Sequence, residues 1–470
     1  MNQQSGSDLK PGDLLDGIEL LERRPGASMA ALWNARSPAH DFPLIVKIPF
    51  VEPGQDVSML VSFEVEELIA KRLSGPHVPR FVASGDIDRI PYLAMELVSG
   101  RGLAEVAAGA PLPAAEVGDI GAQVAAALIS LHRQKVAHLD LKPENVILSP
   151  RGAVLIDFGL ARHAELPDLL GEESSLPMGT AAYMAPEQVL GDRTDTASDI
   201  FALGCILYQL ATGIEPFGRP QTFAGMKRRL YHPPRRPRDI VGTIPRWLEA
   251  VILRCMEVDR AKRYADPAHV LSDLQHPEQV PLRENEKAHR GLLAAMRDLF
   301  RKPDDKSLVG NPVVRRNGPS TILAAVDLSS DDDPLIPEVL AETARLIATR
   351  GDSRLACVTV LKTEILGNTP ESDESGASIY LKRLVALKDW AKSLHLPDTR
   401  ISFHVLEAVA PADAILNYAR HNDVSHIVVG ARASSALRRH LGSVSTKIVA
   451  EALCSVSVVR IKAVEEPAHD

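Results

Sequence analysis

His138-Leu139-Asp140-Leu141-Lys142-Pro143-Glu144-Asn145-Val146, followed after a short gap by Asp157-Phe158-Gly159, is the stretch on which the reading of this chain turns. The order of the polar groups has a chemical meaning. Asp140 can accept the proton of an attacking hydroxyl. Lys142, two residues on, can neutralise charge on a phosphoryl group in transit. Asn145 and Asp157 offer hard oxygen donors, the ligand type that magnesium takes when it bridges phosphate oxygens.

Upstream, the pattern predicts paired strands over Ile18 to Leu21, Ala30 to Ala35 and Leu44 to Ile48. The last contains Leu44-Ile45-Val46-Lys47, a lysine flanked by apolar residues. Such a lysine calls for a partner, and an amphipathic helix predicted over 57–73 supplies Glu64, Glu66 and Glu67, with Leu60, Phe63 and Leu68 on its apolar side. Gly26 lies in the turn Arg24 to Leu32. Pro91-Tyr92-Leu93-Ala94-Met95-Glu96-Leu97-Val98 reads as a strand running into the turn Ser99-Gly100. A long alanine- and leucine-rich helix (114–135) leads into the polar stretch. Downstream of Gly159 the chain reaches Gly179-Thr180-Ala181-Ala182-Tyr183-Met184-Ala185-Pro186-Glu187, and helices follow around 196–212, 245–257 and 267–274.

These motifs, in this order over 12–275, resemble the eukaryotic-like (bacterial) serine/threonine protein kinases. The resemblance implies a bilobal protein-kinase fold (α+β) using ATP and Mg2+. It makes Asp140 and Lys142 the catalytic pair, and Asn145 and Asp157 the metal ligands. Lys47 pairs with Glu66, chosen over Glu64 and Glu67 because Phe63 to Glu66 matches the family's F-x-x-E spacing. Met95 becomes the gatekeeper, and the backbone of Glu96 and Val98 meets adenine. Thr180 is expected to bond Asp140 and Lys142, Glu187 to pair with Arg263, and Asp199 with Gly204 to support the catalytic loop from below. The segment Leu166 to Ser175 is expected to be the mobile middle of the activation segment.

Two departures bear on function. The glycine-rich loop keeps only Gly26 where the family usually has three glycines, which makes close backbone approach to a phosphate harder. Leu139 stands where most regulated members have an arginine that clamps an activation-loop phosphate. Activation by loop phosphorylation is therefore not implied, and Arg162 is the alternative clamp for Ser174 or Ser175. The two departures also admit a rival reading, a pseudokinase scaffold that senses nucleotide and transfers nothing. A small-molecule kinase is disfavoured by Thr180 to Glu187, which resembles a protein-substrate loop.

Residues 276–318 read as a linker with Pro277, Pro281, Pro303 and Pro312, containing a possible basic amphipathic helix from Glu286 to Lys302. From Ser320 strands and helices alternate to residue 460: strands at 321–327, 354–360, 399–405, 425–429 and 455–460, with helices between them. Such alternation implies an α/β domain with a parallel sheet covered on both faces. The first strand ends in Asp327. Gly430 closes the fourth, and Gly442-Ser443-Val444-Ser445 opens a helix, a site type that holds anions. Residues 319–462 resemble the universal stress protein family. By that resemblance Asp327, Gly430, Gly442 and Ser443 form a nucleotide site, with Ala433 in place of a second glycine and a shortened gap. The last strand would be a dimer edge.

Composition supports this division. The 470 residues exceed one ordinary core. A formal charge of −8 argues against a nucleic-acid-binding protein. Four cysteines (Cys205, Cys255, Cys357, Cys454) form no C-x-x-C pair, as suits reduced thiols. The polar start, Met1 to Lys10, resembles no signal peptide, and no apolar run reaches the ~18 residues of a bilayer span. The expectation is a cytoplasmic serine/threonine kinase acting on protein substrates, homodimeric through its C-terminal domain.

Overall fold

Strands β1 (Leu14–Leu15), β2 (Ile18–Arg24), β3 (Ala30–Arg36) and β4 (Leu44–Pro49) open an antiparallel sheet. Helix α1 (Val57–Ala70) follows, then β5 (Phe81–Ser84) and β6 (Leu93–Glu96) complete the sheet in the order β1-β2-β3-β4-β6-β5. The structure is a computed structural model and describes residues 9–25, 30–50, 57–86, 89–174, 176–282, 320–330, 333–363, 378–431 and 442–461. Gly26, Ser175, the linker helix Glu286 to Lys302 and the turn containing Ala433 lie outside the described residues. The alternation of apolar and polar side chains buries one face of the sheet: Leu20, Trp33, Leu44, Val46 and Ile48 are all at most 3% exposed.

Helix α1 differs from the single apolar stripe expected over 57–73. Its core face is Val61, Val65 and Ile69, spaced one turn apart. Leu60 instead packs on the C-terminal domain, against Tyr380, Leu384 and Val405. Apolar residues run round α1 because both of its sides are covered.

The second lobe is helical. A short strand, β7 (Arg101–Gly102), and a short helix, α2 (Leu103–Ala107), lead to α3 (Ala114–Arg133), which is followed by β8 (Val136–Ala137). The hairpin β9 (Val146–Ser149) and β10 (Gly152–Leu155) flanks the catalytic loop, and β11 (Arg162–His163) pairs antiparallel with β8. Then come α4 (Leu169–Glu173), α5 (Pro186–Val189), α6 (Ala197–Thr212), α7 (Phe223–Lys227), α8 (Arg246–Cys255) and α9 (Pro267–Gln275). Gly204 on α6 is required by close packing: a Cβ there would lie 2.6 Å from Cys255 Cβ on α8. Among the described residues, α3 alone is long and apolar enough to cross a membrane. It is instead packed inside this lobe, with Val117, Val124, Leu128 and Leu131 fully buried.

The C-terminal unit is the predicted α/β arrangement. Strand β12 (Thr321–Ala325), helix α10 (Leu335–Thr349), β13 (Arg354–Lys362), α11 (Ile379–Ala391), β14 (Ile401–Ala408), α12 (Pro411–His421), β15 (Val424–Gly430), α13 (Ser443–Glu451) and β16 (Ser455–Val459) alternate. All five strands are parallel, in the order β14-β13-β12-β15-β16. The period of two divides each strand between two cores. Leu323, Val358 and Ile427 meet α12 and α13, whereas Ile322, Cys357 and Val428 meet α10 and α11.

Candidate active site

The strand β4 presents Lys47 to helix α1 and to the turn after β10. Its Nζ lies 2.5 Å from Glu66 Oε2 and 3.3 Å from Asp157 Oδ1. Burial works against the Lys47 charge, but Glu66 and Asp157 outweigh it and hold the ammonium well above its ordinary pKa. Burial pushes the Glu66 carboxyl up, with Lys47 opposing. Burial would also raise Asp157, yet Lys47, His138 and Lys142 pull it down, so this carboxylate stays ionised. The other two acids of α1 go elsewhere: Glu67 pairs with Lys71 and Glu64 with Lys388 of the C-terminal unit. A contact with no signature in the sequence ties α1 to the same turn, with Ser62 Oγ donating to the Gly159 carbonyl at 2.9 Å.

The loop His138 to Asn145 is pinned from below by Asp199 at the start of α6. Its Oδ2 accepts from the His138 amide at 2.9 Å and its Oδ1 from the Leu139 amide at 2.8 Å, while His132 Nε2 sits 2.8 Å from Oδ2. Leu139 (φ 61°) and Asp157 (φ 64°) both adopt the left-handed region, unusual outside glycine and asparagine. That backbone is held by its partners: Gln188 Nε2 donates to the Leu139 carbonyl at 2.7 Å, and the His138 and Phe158 rings lie 5.3 Å apart.

Asp140 is the centre of this arrangement. Its Oδ2 accepts from Lys142 Nζ at 2.8 Å, and its Oδ1 accepts from the Thr180 amide at 2.7 Å and hydroxyl at 2.8 Å. Lys142 also donates to Thr180 Oγ1 at 2.9 Å. Asn145 donates its amide nitrogen to the Asp140 carbonyl at 2.9 Å, which leaves Oδ1 as the atom suited to a cation. With the ionised Asp157, this donor set fits a hard divalent ion.

Where a mobile middle is expected, from Leu166 to Ser175, the described part from Leu166 to Glu173 is packed against its surroundings. Leu166, Leu169 and Leu170 are buried, and Glu172 is 8% exposed. Asp168 caps α4 through the Gly171 amide and lies 3.3 Å from Arg193 Nε and 3.6 Å from Arg162 Nε. Glu187 and Arg263 form the expected buried pair, two-pronged at 2.7 and 3.1 Å. Arg229, not foreseen, is buried and donates to the carbonyls of Met184 and Ala181.

At the end of β6 the Glu96 amide donates to the Arg80 carbonyl at 2.9 Å. The Glu96 side chain is bound by Arg151 and Arg80. Val98 is buried next to it.

In the C-terminal unit, β12 and β15 are neighbours, so Asp327 and Gly430 follow the carboxyl ends of adjacent strands. Asp327 Oδ1 accepts from the Ser329 amide at 3.0 Å. Gly442 is the residue before α13 and Ser443 its first. Gly430 has a packing reason of its own, because a Cβ there would lie 3.3 Å from Leu335 Cδ1 on α10.

A two-lobed fold with an ion-paired lysine on the upper sheet and an Asp-Lys-Asn loop below defines the protein kinases as a class. The sequence model described as the protein kinase domain matches residues 51–277, and that of the universal stress protein family matches 319–460. A probable serine/threonine-protein kinase of Corynebacterium efficiens is 30% identical over 277 residues, 57% of this chain and 40% of that protein. The serine/threonine-protein kinase PknL of Mycobacterium bovis is 30% identical over 288 residues, 59% of this chain and 72% of that protein. The PknI kinase domain of Mycobacterium tuberculosis, a solved structure, aligns at 24% identity with a TM-score of 0.45, covering 57% of this chain and 99% of that domain. The chain belongs to the bacterial serine/threonine protein kinase family and carries a universal stress protein domain after the kinase domain. It spans less than half the length of several relatives, 40%, 38% and 39% for three of them.

Proposed function

We propose that this chain transfers the γ-phosphoryl group of ATP to serine or threonine hydroxyls of protein substrates. The observation that carries the reading is the Asp140 carboxylate, held between Lys142 and Thr180 beside the Lys47–Glu66 pair. Magnesium bound by Asn145 and Asp157 would neutralise phosphate charge. Lys47 and the backbone at Glu96 and Val98 bind and orient the nucleotide. Asp140 receives the proton as the substrate oxygen bonds to phosphorus and the bond to ADP breaks. Lys142 steadies the transferring group, and Gly26 would contribute to the phosphate site. Positioning and fixed charge supply most of the rate. The test is transfer of label from ATP to the protein or a generic substrate, compared with Asp140→Asn. Equal labelling of both would leave only the scaffold reading.

In this reading residues 12–275 are the catalytic unit, 276–318 the linker and 319–462 the regulatory or dimer-forming unit. Asp327, Gly430, Gly442 and Ser443 would hold a nucleotide or another anion at the strand ends. The homodimer would form through β16, an edge strand paired only with β15, beside the exposed Leu453, Val449 and Ile461. The separate thiols, three of them buried, support action in the cytoplasm.

A further inference from the structure

Glu172 of α4 leaves the kinase domain and enters a polar socket in the universal stress protein domain. Arg354 Nη2 donates to Oε1 at 2.6 Å. Ser402 Oγ, His404 Nε2 and the Tyr418 hydroxyl meet Oε2 at 2.9, 2.9 and 3.0 Å. Asn422 donates to the Glu172 carbonyl at 3.1 Å, and His421 Nε2 lies 3.0 Å from the Gly171 carbonyl. Ser402 and His404 are 1% and 0% exposed. Four polar groups converge on one carboxylate, three at Oε2 and one at Oε1, so the socket suits an acid. It is formed by β13, β14 and α12, whereas Asp327 follows β12 and Gly430 ends β15.

The same domain grips α1 from the side. Lys388 on α11 pairs with Glu64 at 2.6 Å, and Asp398 with Arg72 at 3.1 Å. Leu60 fills the apolar patch between them, on Tyr380, Leu384 and Val405. Helix α1 thus carries Glu64 on the stress-protein domain and Glu66, two residues on, toward Lys47. It also holds Gly159 through Ser62.

The docked arrangement coincides with a complete catalytic constellation: Glu66 is on Lys47, β11 is paired with β8, and Thr180 is on Asp140. Each of these pairs is intact with the two domains docked. We propose that the universal stress protein domain is an activator built into the chain, whose socket takes the Glu172 carboxylate while α11 holds α1, fixing Glu66 on Lys47. This rests on the reading of the chain as an active kinase. The anchorage replaces what Leu139 cannot give, since a leucine has no guanidinium with which to hold a phosphorylated loop.

The test uses the full chain and two readouts, phosphotransfer and hydrogen exchange of residues 57–70 and 159–174. The variants are Glu172→Gln, Lys388→Glu, and Lys388→Glu combined with Glu64→Lys. Each single variant is expected to speed exchange in both segments and to lower phosphotransfer on the order of tenfold. The charge-swapped pair is expected to restore both toward wild type, which separates a positioning contact from general destabilisation. Unchanged exchange in both single variants, or faster exchange with equal or higher activity, overturns the proposal. If wild type is no more active than Asp140→Asn, the kinase reading itself has failed, and exchange alone then judges the docking.

Discussion

Asp168 lies 3.3 Å from Arg193 Nε, with Arg162 3.6 Å away on its other oxygen, and it also caps α4. A genetically encoded carboxylate thus sits between two guanidinium groups, one of them Arg162, the residue expected to clamp a loop phosphate.

Asp168→Ala is therefore expected to lower phosphotransfer by about tenfold, near 1.4 kcal/mol of barrier, whereas Ser174→Ala with Ser175→Ala leaves it within a factor of about two. Initial rates on one substrate measure both. A larger loss in the serine variant than in Asp168→Ala would show that phosphorylation governs the loop after all.

Asp140→Asn removes the proton acceptor and is expected to cut kcat by about 10²–10⁴-fold. Asp157→Ala removes a metal-type donor and the second carboxylate beside Lys47, and should abolish transfer while shifting the dependence of ATP binding on magnesium. Label incorporation and nucleotide titrations with and without magnesium check the pair.

The Glu187–Arg263 pair is buried on both sides, at 6% and 0% side-chain exposure. Removing one partner strands the other charge, so Arg263→Ala is expected to cost about 3–5 kcal/mol of stability. Arg263→Lys should recover only part of it, because an ammonium cannot make the two-pronged contact. Denaturant midpoints of the three proteins decide this.

The socket carries a pH signature. Burial alone would lower the His404 pKa, but its bonds to Glu172 and Glu173 lift it from 6.5 to about 9. Burial would raise Glu172, but His404 and Arg354 bring it from 4.5 down to about 2. A raised histidine contributes stability in full below its unfolded value, near pH 6.5, and loses it as pH rises through about 9. The lowered carboxyl contributes above 4.5 and is lost as pH falls through about 2. Docking is thus strongest between 4.5 and 6.5. Thermal melting of the full chain should decline from pH 6.5 to about 9, and less so in Glu172→Gln. Equal slopes in the two proteins would mean that His404 titrates outside the contact.

Leu453, at 86% exposure, and Val449, at 46%, flank the edge strand β16. Replacing both by glutamate is expected to convert a dimer to a monomer in light scattering. An unchanged mass would locate the association elsewhere.

Much of this molecule was legible in the chain. Lys47, Glu66, Asp140 and Asp157 were readable because phosphoryl transfer demands those groups at set spacings, and the alternation after Ser320 announced a parallel sheet. Glu187 with Arg263 was readable through the family resemblance of the Ala185-Pro186-Glu187 motif, and the structure pairs them. Glu172, Glu64 and Leu60 were not readable. Each looks like an ordinary residue of its own helix, and only packing across the two domains makes it a contact. Asp168 escaped for a related reason: its partners Arg162 and Arg193 lie on other elements, and no local pattern marks them. Gly430 was legible as a special residue, but its reason, the approach of α10, is tertiary.

Strand β13 starts at the socket with Arg354. Ala325, the last residue of β12, pairs with Val358, four residues further along β13, and Val358 pairs in turn with His404 of the socket. That is a rise of roughly 13 Å from Arg354 at ~3.3 Å per residue. Asp327 follows β12 and Gly430 ends β15, strands on the other side of β13 from β14. An anion held there would rest on different strands from those that grip Glu172, and any signal between the two would pass sideways, from each strand to its neighbour, in the manner of a knock carried along a fence.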